Sequence, residues 1–146
     1  MAQTIAHWVR VYWLMGWVAL AASVVPAQAG EAATPPQQSI DGQIRAFLAD
    51  NFDQAYSYAA PNVRMIFPTV DSFMGMVKGG YQPVYRPKTW DFARTRTEAD
   101  GTVYQEVLIT DLSGQNWAAL YTVQQQPDGS WKITGVSLRK SDAVSM

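Results

Sequence analysis

Apolar residues in the first half of the chain recur at the spacing of an amphipathic helix. The longest pattern predicts a helix that Ser39 caps at its N-terminus. The apolar face of this helix comprises Ile40, Ile44, Phe47, Leu48 and Phe52. Three further helical segments are expected before residue 81. Asp53 caps a short helix that Pro61 ends, and residues 63–67 form another turn or two before Pro68. Residues 71–78 form the last helix, which Gly79-Gly80 would terminate.

The pattern changes in the second half of the chain, where Trp90 and Phe92 alternate with Asp91 and Ala93, which is typical of strands. Strands are expected near Trp90 to Ala93 and over residues 102–110, 116–125 and 131–138. Turn residues separate them, and Gly135 shifts the apolar parity of the last strand, which indicates a bulge. Helices first and strands afterwards predict an α+β fold, with helices on one face of a curved four-stranded antiparallel sheet.

The N-terminal 29 residues have the pattern of a secretory signal peptide. Arg10 precedes an apolar run over residues 11–25, and Ala27-Gln28-Ala29 is a small-x-small cleavage site. We therefore expect cleavage between Ala29 and Gly30 and a periplasmic or secreted protein. The alternative is an uncleaved helix that anchors the domain to the membrane, although the apolar run is shorter than the roughly 20 residues that a span requires. Residues 30–38 would then be a polar tether, residues 39–140 one α+β domain, and residues 141–146 a tail.

Export and cleavage would leave a chain with very restricted chemistry. The only histidine is His7 and there is no cysteine, so the mature protein would lack imidazole and thiol nucleophiles, His-ligated metals and disulfides. We expect no metal site and no cofactor. Ten basic and twelve acidic residues follow the cleavage site, a net charge of −2 without a basic run. This balance argues against nucleic acid, or an anionic membrane surface after cleavage, as a partner.

Several short segments resemble an uncharacterised bacterial family known as domain of unknown function 4864. The resemblance lies in residues 73–81, Pro83-Val84-Tyr85-Arg86-Pro87, the stretch from Gln105 to Tyr121, and residues 126–131. It extends from about Ser39 to Leu138. The family's arrangement is similar to the cystatin-like cone of nuclear transport factor 2 and ketosteroid isomerase. The resemblance implies that fold but brings no activity with it.

Residues 81–87 are the most unusual segment. Pro83 and Pro87 are expected to hold the residues before them extended, which would make this a stiff connector between the helices and the sheet. In a cone it would cross the open end. Tyr81, Tyr85 and Arg86 would then form the rim of a ligand site. Trp90, Tyr104 and Glu106 would lie deeper if the strand register turns them inward. Alternatively, the tyrosines cover the edge of the core and Arg86 pairs with an internal acid.

Acid–base chemistry without histidine would need a desolvated carboxylate and a tyrosine. The candidate catalytic residues are Glu106, Asp91 and Tyr104, which lie centrally in predicted strands. A two- or four-residue loop between the second and third strands would align Glu106 with Ala119, and a one-residue shift would turn it to the other face. A solvated or salt-bridged strand residue is the commoner role for such a carboxylate.

The expected function is non-catalytic binding of a small molecule or an envelope protein. The alternatives are a cofactor-free enzyme that transfers protons through a carboxylate and a tyrosine, and a structural homodimer formed through the sheet.

Overall fold

The computed structural model describes residues 32–142, so the predicted signal peptide, its cleavage site at Ala29 and Gly30, and residues 143–146 lie outside the described part. Helices come first in this part, and they are α1 (Pro35–Leu48), α2 (Phe52–Ser57), α3 (Pro61–Ile66), α4 (Val70–Gly80) and α5 (Gln82–Tyr85). The strands follow, and they are β1 (Pro87–Thr97), β2 (Val103–Asp111), β3 (Asn116–Gln125) and β4 (Trp131–Lys140). The prediction of an α+β fold with a four-stranded antiparallel sheet is confirmed.

Helix α1 begins earlier than predicted, so residues 35–38 are helical rather than an extended tether. Thr34 is the N-cap, and its hydroxyl and the side chain of Gln37 form a reciprocal capping box. Ser39 lies inside the helix, where its hydroxyl donates to the Trp131 carbonyl at 2.8 Å. The helix start therefore uses Pro at its first position and Thr before it, which is a standard arrangement.

The start of α2 and the segment after α4 also differ from the prediction. The side chain of Asn51, not Asp53, caps α2. Gly79 and Gly80 form the last turn of α4 rather than a stop after it, and residues 82–85 form α5. The predicted stiff, extended connector is therefore wrong at Gln82. Pro83 lies in the first turn of α5, where its missing N–H costs no helical hydrogen bond.

Three hairpins of the same type connect the strands in the order β1-β2-β3-β4. Each loop has three residues and ends in a glycine at φ +86°, namely Gly101, Gly114 and Gly129. The N–H of each glycine donates to the carbonyl three residues earlier, as in a type I turn followed by a left-handed residue. These loops fix the register of the whole sheet, and Gln105 therefore lies opposite Tyr121.

The helices cover one face of the sheet and bury its odd-numbered β2 and β3 residues. Val107, Ala119, Tyr121 and Val123 are fully buried on this face. The predicted bulge at Gly135 is confirmed, because Thr122 pairs with Gly135 and Val123 with Ile133, which leaves Thr134 as the extra residue. Register shifts in β1 mark further irregularities.

The chain between α2 and α3 pairs with the outer edge of β4 at Ile133. The Ala60 N–H donates to the Ile133 carbonyl at 2.9 Å, and the Ile133 N–H donates to the Tyr58 carbonyl at 2.8 Å. Lys132 Nζ adds a hydrogen bond to the Ser57 carbonyl at 2.6 Å. These bonds satisfy backbone groups that an edge strand would otherwise expose.

Candidate functional site

A cavity of about 250 Å³ lies between the helices and β4. Every helix except α2 contributes to its wall, together with the bulged part of β4. Most lining residues are apolar, and three phenylalanines, Phe47, Phe67 and Phe73, are among them. The complete lining is Gln43, Phe47, Ala59, Asn62, Val63, Ile66, Phe67, Phe73, Met76, Val77, Tyr81, Val84, Ile133, Thr134, Gly135 and Val136. Apolar walls with a few polar groups are characteristic of small-molecule sites.

The β4 bulge forms one side of this cavity. Thr134 donates to the Thr122 carbonyl at 3.1 Å and to the Thr122 hydroxyl at 2.8 Å, which holds the extra residue against β3. A Cβ atom at Gly135 would lie 3.1 Å from Thr122 Oγ1, so glycine lets the two strands approach closely here. The bulge thus turns β4 while the strand remains paired.

Helix α3 forms the outer wall and is held mainly by polar contacts. It has no buried residue, and Met65 and Ile66 are 83% and 71% exposed. Arg64 donates to the carbonyls of Ala59 and Tyr56 at 3.1 Å each. Asn62 Nδ2 donates to the Thr134 carbonyl at 3.0 Å. A short helix with so little apolar anchorage belongs to the least stable part of a fold, as walls and lids of binding sites often do.

Gln43 is the buried polar residue of the cavity wall. It is 3% exposed, and its Nε2 donates to the Ala55 carbonyl at 3.1 Å. Its side-chain oxygen accepts no hydrogen bond from the described residues. Gln43 lies one turn from Ile40 and Phe47, on the apolar face that the sequence pattern predicts. A glutamine on that face was the signal that the sequence reasoning missed.

Of the predicted rim residues, the structure places only Tyr81 in the cavity wall. Tyr85 packs instead in an aromatic cluster, with ring centroids 6.1 Å from Phe47 and 6.3 Å from Phe52. Arg86 lies over the Tyr85 ring at 3.9 Å and donates to the Tyr85 hydroxyl at 2.9 Å. It also pairs with Asp50 and donates to the Phe47 carbonyl. This is the alternative in which Arg86 pairs with an acid of its own chain.

Asp50 owes its position to the end of α1. The Asn51 N–H donates to the Ala46 carbonyl at 2.9 Å and the Asp50 N–H to the Phe47 carbonyl at 3.1 Å, which is a Schellman motif. Asp50 therefore has φ +55°, a conformation that glycine usually supplies. Arg86 thus joins the end of α1 to the start of β1.

Trp90 faces the helices, but it lies outside the cavity lining. Its Nε1 donates to Asp41 Oδ1 at 3.0 Å, and the Arg45 guanidinium lies 5.3 Å from its ring centre. Arg45 is also paired with Asp41 at 2.6 Å. The cluster ties β1 to the exposed side of α1.

The candidate catalytic residues Glu106, Asp91 and Tyr104 lie on the sheet face opposite the helices. The three-residue loop aligns Glu106 with Leu120 and Tyr104 with Thr122, so the strands adopt the register shifted by one residue rather than the alignment of Glu106 with Ala119. Asp91 pairs with Leu108 on the same outer face. Glu106 is 3.8 Å from Arg139, and Arg96 lies 4.8 Å from the Tyr104 ring centre. The structure therefore separates these residues from Tyr81 and Trp90.

Two side chains in the described part have strongly shifted pKa values. Hydrogen bonds from Ser113 and Trp117 lower the pKa of Asp111 to about 2. Complete burial raises the pKa of Tyr121 well above its ordinary value, and its hydroxyl has no hydrogen-bond partner among the described residues. Asp111 is the last residue of β2, at the start of the hairpin loop, and Tyr121 belongs to the packed core.

Within residues 32–142, no group of three or more His, Cys, Asp or Glu residues could hold a metal ion. No helix in that same range is long and apolar enough to cross a membrane.

Fold and cavity together define an α+β domain with a largely apolar cavity between its helices and the last strand. The chain belongs to the family described as Domain of unknown function (DUF4864), which matches residues 31–146. The predicted family membership is confirmed. No curated protein matches the chain, and no solved structure matches it.

Proposed function

We propose that this domain binds a small apolar ligand in the cavity between the helices and β4. The observation that carries the proposal is the cavity itself, about 250 Å³ with a largely apolar wall. An engineered apolar cavity of about 150 Å³ is large enough to bind benzene. Transfer of a ligand of this kind from water would be driven by its apolar surface.

Binding is favoured over catalysis by the chemistry of the wall. Among the described lining residues there is no carboxylate, and the candidate acids Glu106 and Asp91 lie on the other face of the sheet. Proton transfer by a carboxylate and a tyrosine therefore draws no support from the cavity.

We further infer that the domain is exported and that its fold is the cone type. The family match begins at residue 31, directly after the predicted cleavage site, which supports a separate N-terminal signal. Helices on one face of a bulged antiparallel sheet support the cone, because bulges bend sheets. Intact-mass measurement of periplasmic or secreted material tests export. Gly30 is expected as the first residue, and retention of Met1 would contradict cleavage.

The ligand proposal is tested by equilibrium dialysis of the purified domain against 1-methylnaphthalene, compared with a variant whose cavity is filled. Val63 lies half-buried in the wall on α3, so Val63→Trp should occupy the cavity from the least packed side. We expect at least a tenfold loss of binding.

The matched control is Leu120→Trp, which adds an indole at a side chain 42% exposed on the outer sheet face. Binding should be unchanged in this variant. Equal loss in both variants, or no binding by the wild-type protein, would contradict the proposal.

A further inference from the structure

The orientation of the Gln43 amide is fixed by its surroundings. Its Nε2 lies 3.1 Å from the Ala55 carbonyl, and a carbonyl oxygen can only accept a hydrogen bond, so the amide nitrogen must lie on that side. The side-chain oxygen is then left as an acceptor, and no described residue donates to it. Gln43 is 3% exposed and lines the cavity, so this oxygen can accept from a molecule inside it. A ligand that covers the oxygen without supplying a donor would leave it unpaired, which is costly.

The rest of the cavity wall carries no charged side chain, which disfavours an ionised ligand. None of the described lining residues is Asp, Glu, Lys or Arg. An ionised ligand would lose its hydration without gaining a counter-ion. The aromatic rings of Phe47, Phe67 and Phe73 offer edges and faces for a second ring system instead.

Size narrows the ligand further. The cavity, at about 250 Å³, exceeds the roughly 150 Å³ that accommodates benzene. A ligand with two fused rings and one small substituent would therefore fill this larger cavity better than a single ring.

We propose that the cavity takes a neutral, two-ring-sized apolar alcohol or phenol, whose hydroxyl donates a hydrogen bond to the side-chain oxygen of Gln43. This inference rests on the proposed function, since it names the ligand class of the same cavity. Gln43 acts as the specificity-determining residue, and the apolar wall supplies most of the affinity. A ligand of the same shape without a donor would leave the acceptor unpaired.

The test compares 1-naphthol with 1-methylnaphthalene, which differ in a hydroxyl against a methyl group. Dissociation constants for both are measured by equilibrium dialysis on the wild-type domain and on Gln43→Met, which keeps the length of the side chain but removes the acceptor. We expect the preference for 1-naphthol over 1-methylnaphthalene to fall about five- to tenfold in the variant, as the loss of one hydrogen bond implies. Affinity for 1-methylnaphthalene should be retained or rise in the variant, because this ligand no longer leaves an acceptor unpaired, and such binding shows that the variant retains the cavity.

A second measurement uses the wild-type protein alone, in case Gln43→Met does not fold. The side-chain 13Cδ resonance of Gln43 should shift on addition of 1-naphthol and remain in place with 1-methylnaphthalene. If both compounds bind but the preference and the resonance are unaffected, the role of Gln43 is overturned while the proposed function stands. If neither compound binds, both are overturned.

Discussion

Gly42 on α1 lies directly against the phenol ring of Tyr58. A Cβ atom at Gly42 would fall 2.6 Å from Tyr58 Cζ, closer than two carbon atoms can pack. Glycine in the middle of a helix costs about 1 kcal/mol relative to alanine. In return, the Tyr58 ring packs against α1, and the Tyr58 carbonyl accepts a hydrogen bond from the Ile133 N–H at the edge of β4.

Gly42→Ala should therefore destabilise the domain, by about 1–3 kcal/mol, because the methyl group displaces the Tyr58 ring. Gly75→Ala is the matched control. Gly75 lies inside α4 with nothing within 4 Å of its Cβ position, so alanine should stabilise by about 0.5–1 kcal/mol. Urea unfolding measures the free energy of unfolding of both variants. The same sign of change in both variants would contradict the packing argument.

Arg86→Met should destabilise by about 1–3 kcal/mol, because the Phe47 carbonyl and the Asp50 carboxylate both lose a donor. Asp50→Asn should cost less than about 1 kcal/mol. Its side chain is 66% exposed, where ion pairs contribute little, and asparagine tolerates a positive φ. Thermal unfolding of the two variants gives the comparison. A larger effect at Asp50 would mean that the ion pair, rather than the backbone contact, holds this corner.

Tyr121→Phe should stabilise the domain by about 1 kcal/mol. The Tyr121 hydroxyl is buried without a partner among the described residues, so its removal relieves a desolvation cost. Tyr121 also has a pKa raised by burial, and the unfolded chain therefore releases its proton first. The free energy of unfolding is therefore unaffected by ionisation of this group below pH about 10, the ordinary tyrosine pKa, and falls as the pH rises above that value.

When the pH is raised from about 10, the ordinary tyrosine pKa, to about 11, the Tyr121→Phe variant should lose less stability than the wild type. If the stability of both proteins fell equally with rising pH, the Tyr121 phenol would not be the group responsible for the alkaline loss of stability. A less stable variant at neutral pH would show that the hydroxyl has a partner, such as a buried water molecule.

Asp111 should titrate with a pKa of about 2, since Ser113 Oγ and Trp117 Nε1 donate to its carboxylate at 2.6 and 2.9 Å. Its folded pKa is lowered, so its contribution to stability is present above the unfolded value of about 3.9 and is lost as the pH falls towards 2. Titration of its 13Cγ resonance measures the value, and Ser113→Ala should raise it. An Asp111 pKa near that of an unfolded chain would contradict the assigned hydrogen bonds.

Much of the fold could be predicted because periodicity is a local property. The change from helical spacing to alternation separated the helical half of the chain from the sheet, although it did not indicate α5, and Gly135 marked the β4 bulge. The face of Glu106 was left open between two registers, although the signal that decides it was present. Gly101, Gly114 and Gly129 each end a three-residue loop. A loop with an odd number of residues pairs even-numbered with even-numbered positions, so Glu106 lies opposite Leu120 rather than Ala119.

The candidate site was harder to predict, because its walls are far apart in sequence. Helix α3 meets the β4 bulge through Asn62 and Thr134, a contact that no local pattern indicates. At Gln82 two rules conflicted. A residue before proline avoids the helical region, yet proline is accepted in a first helical turn, and the second rule prevailed.

The two edges of the sheet have different consequences for self-association. Residues 58–60 pair with β4 at Ile133, while β1, the other edge, pairs only with β2 in the described part of the chain. Addition of a further strand by backbone pairing is therefore obstructed near the start of β4 and favoured at β1. Two copies joined β1 to β1 would form one continuous eight-stranded sheet, two times the four of each chain.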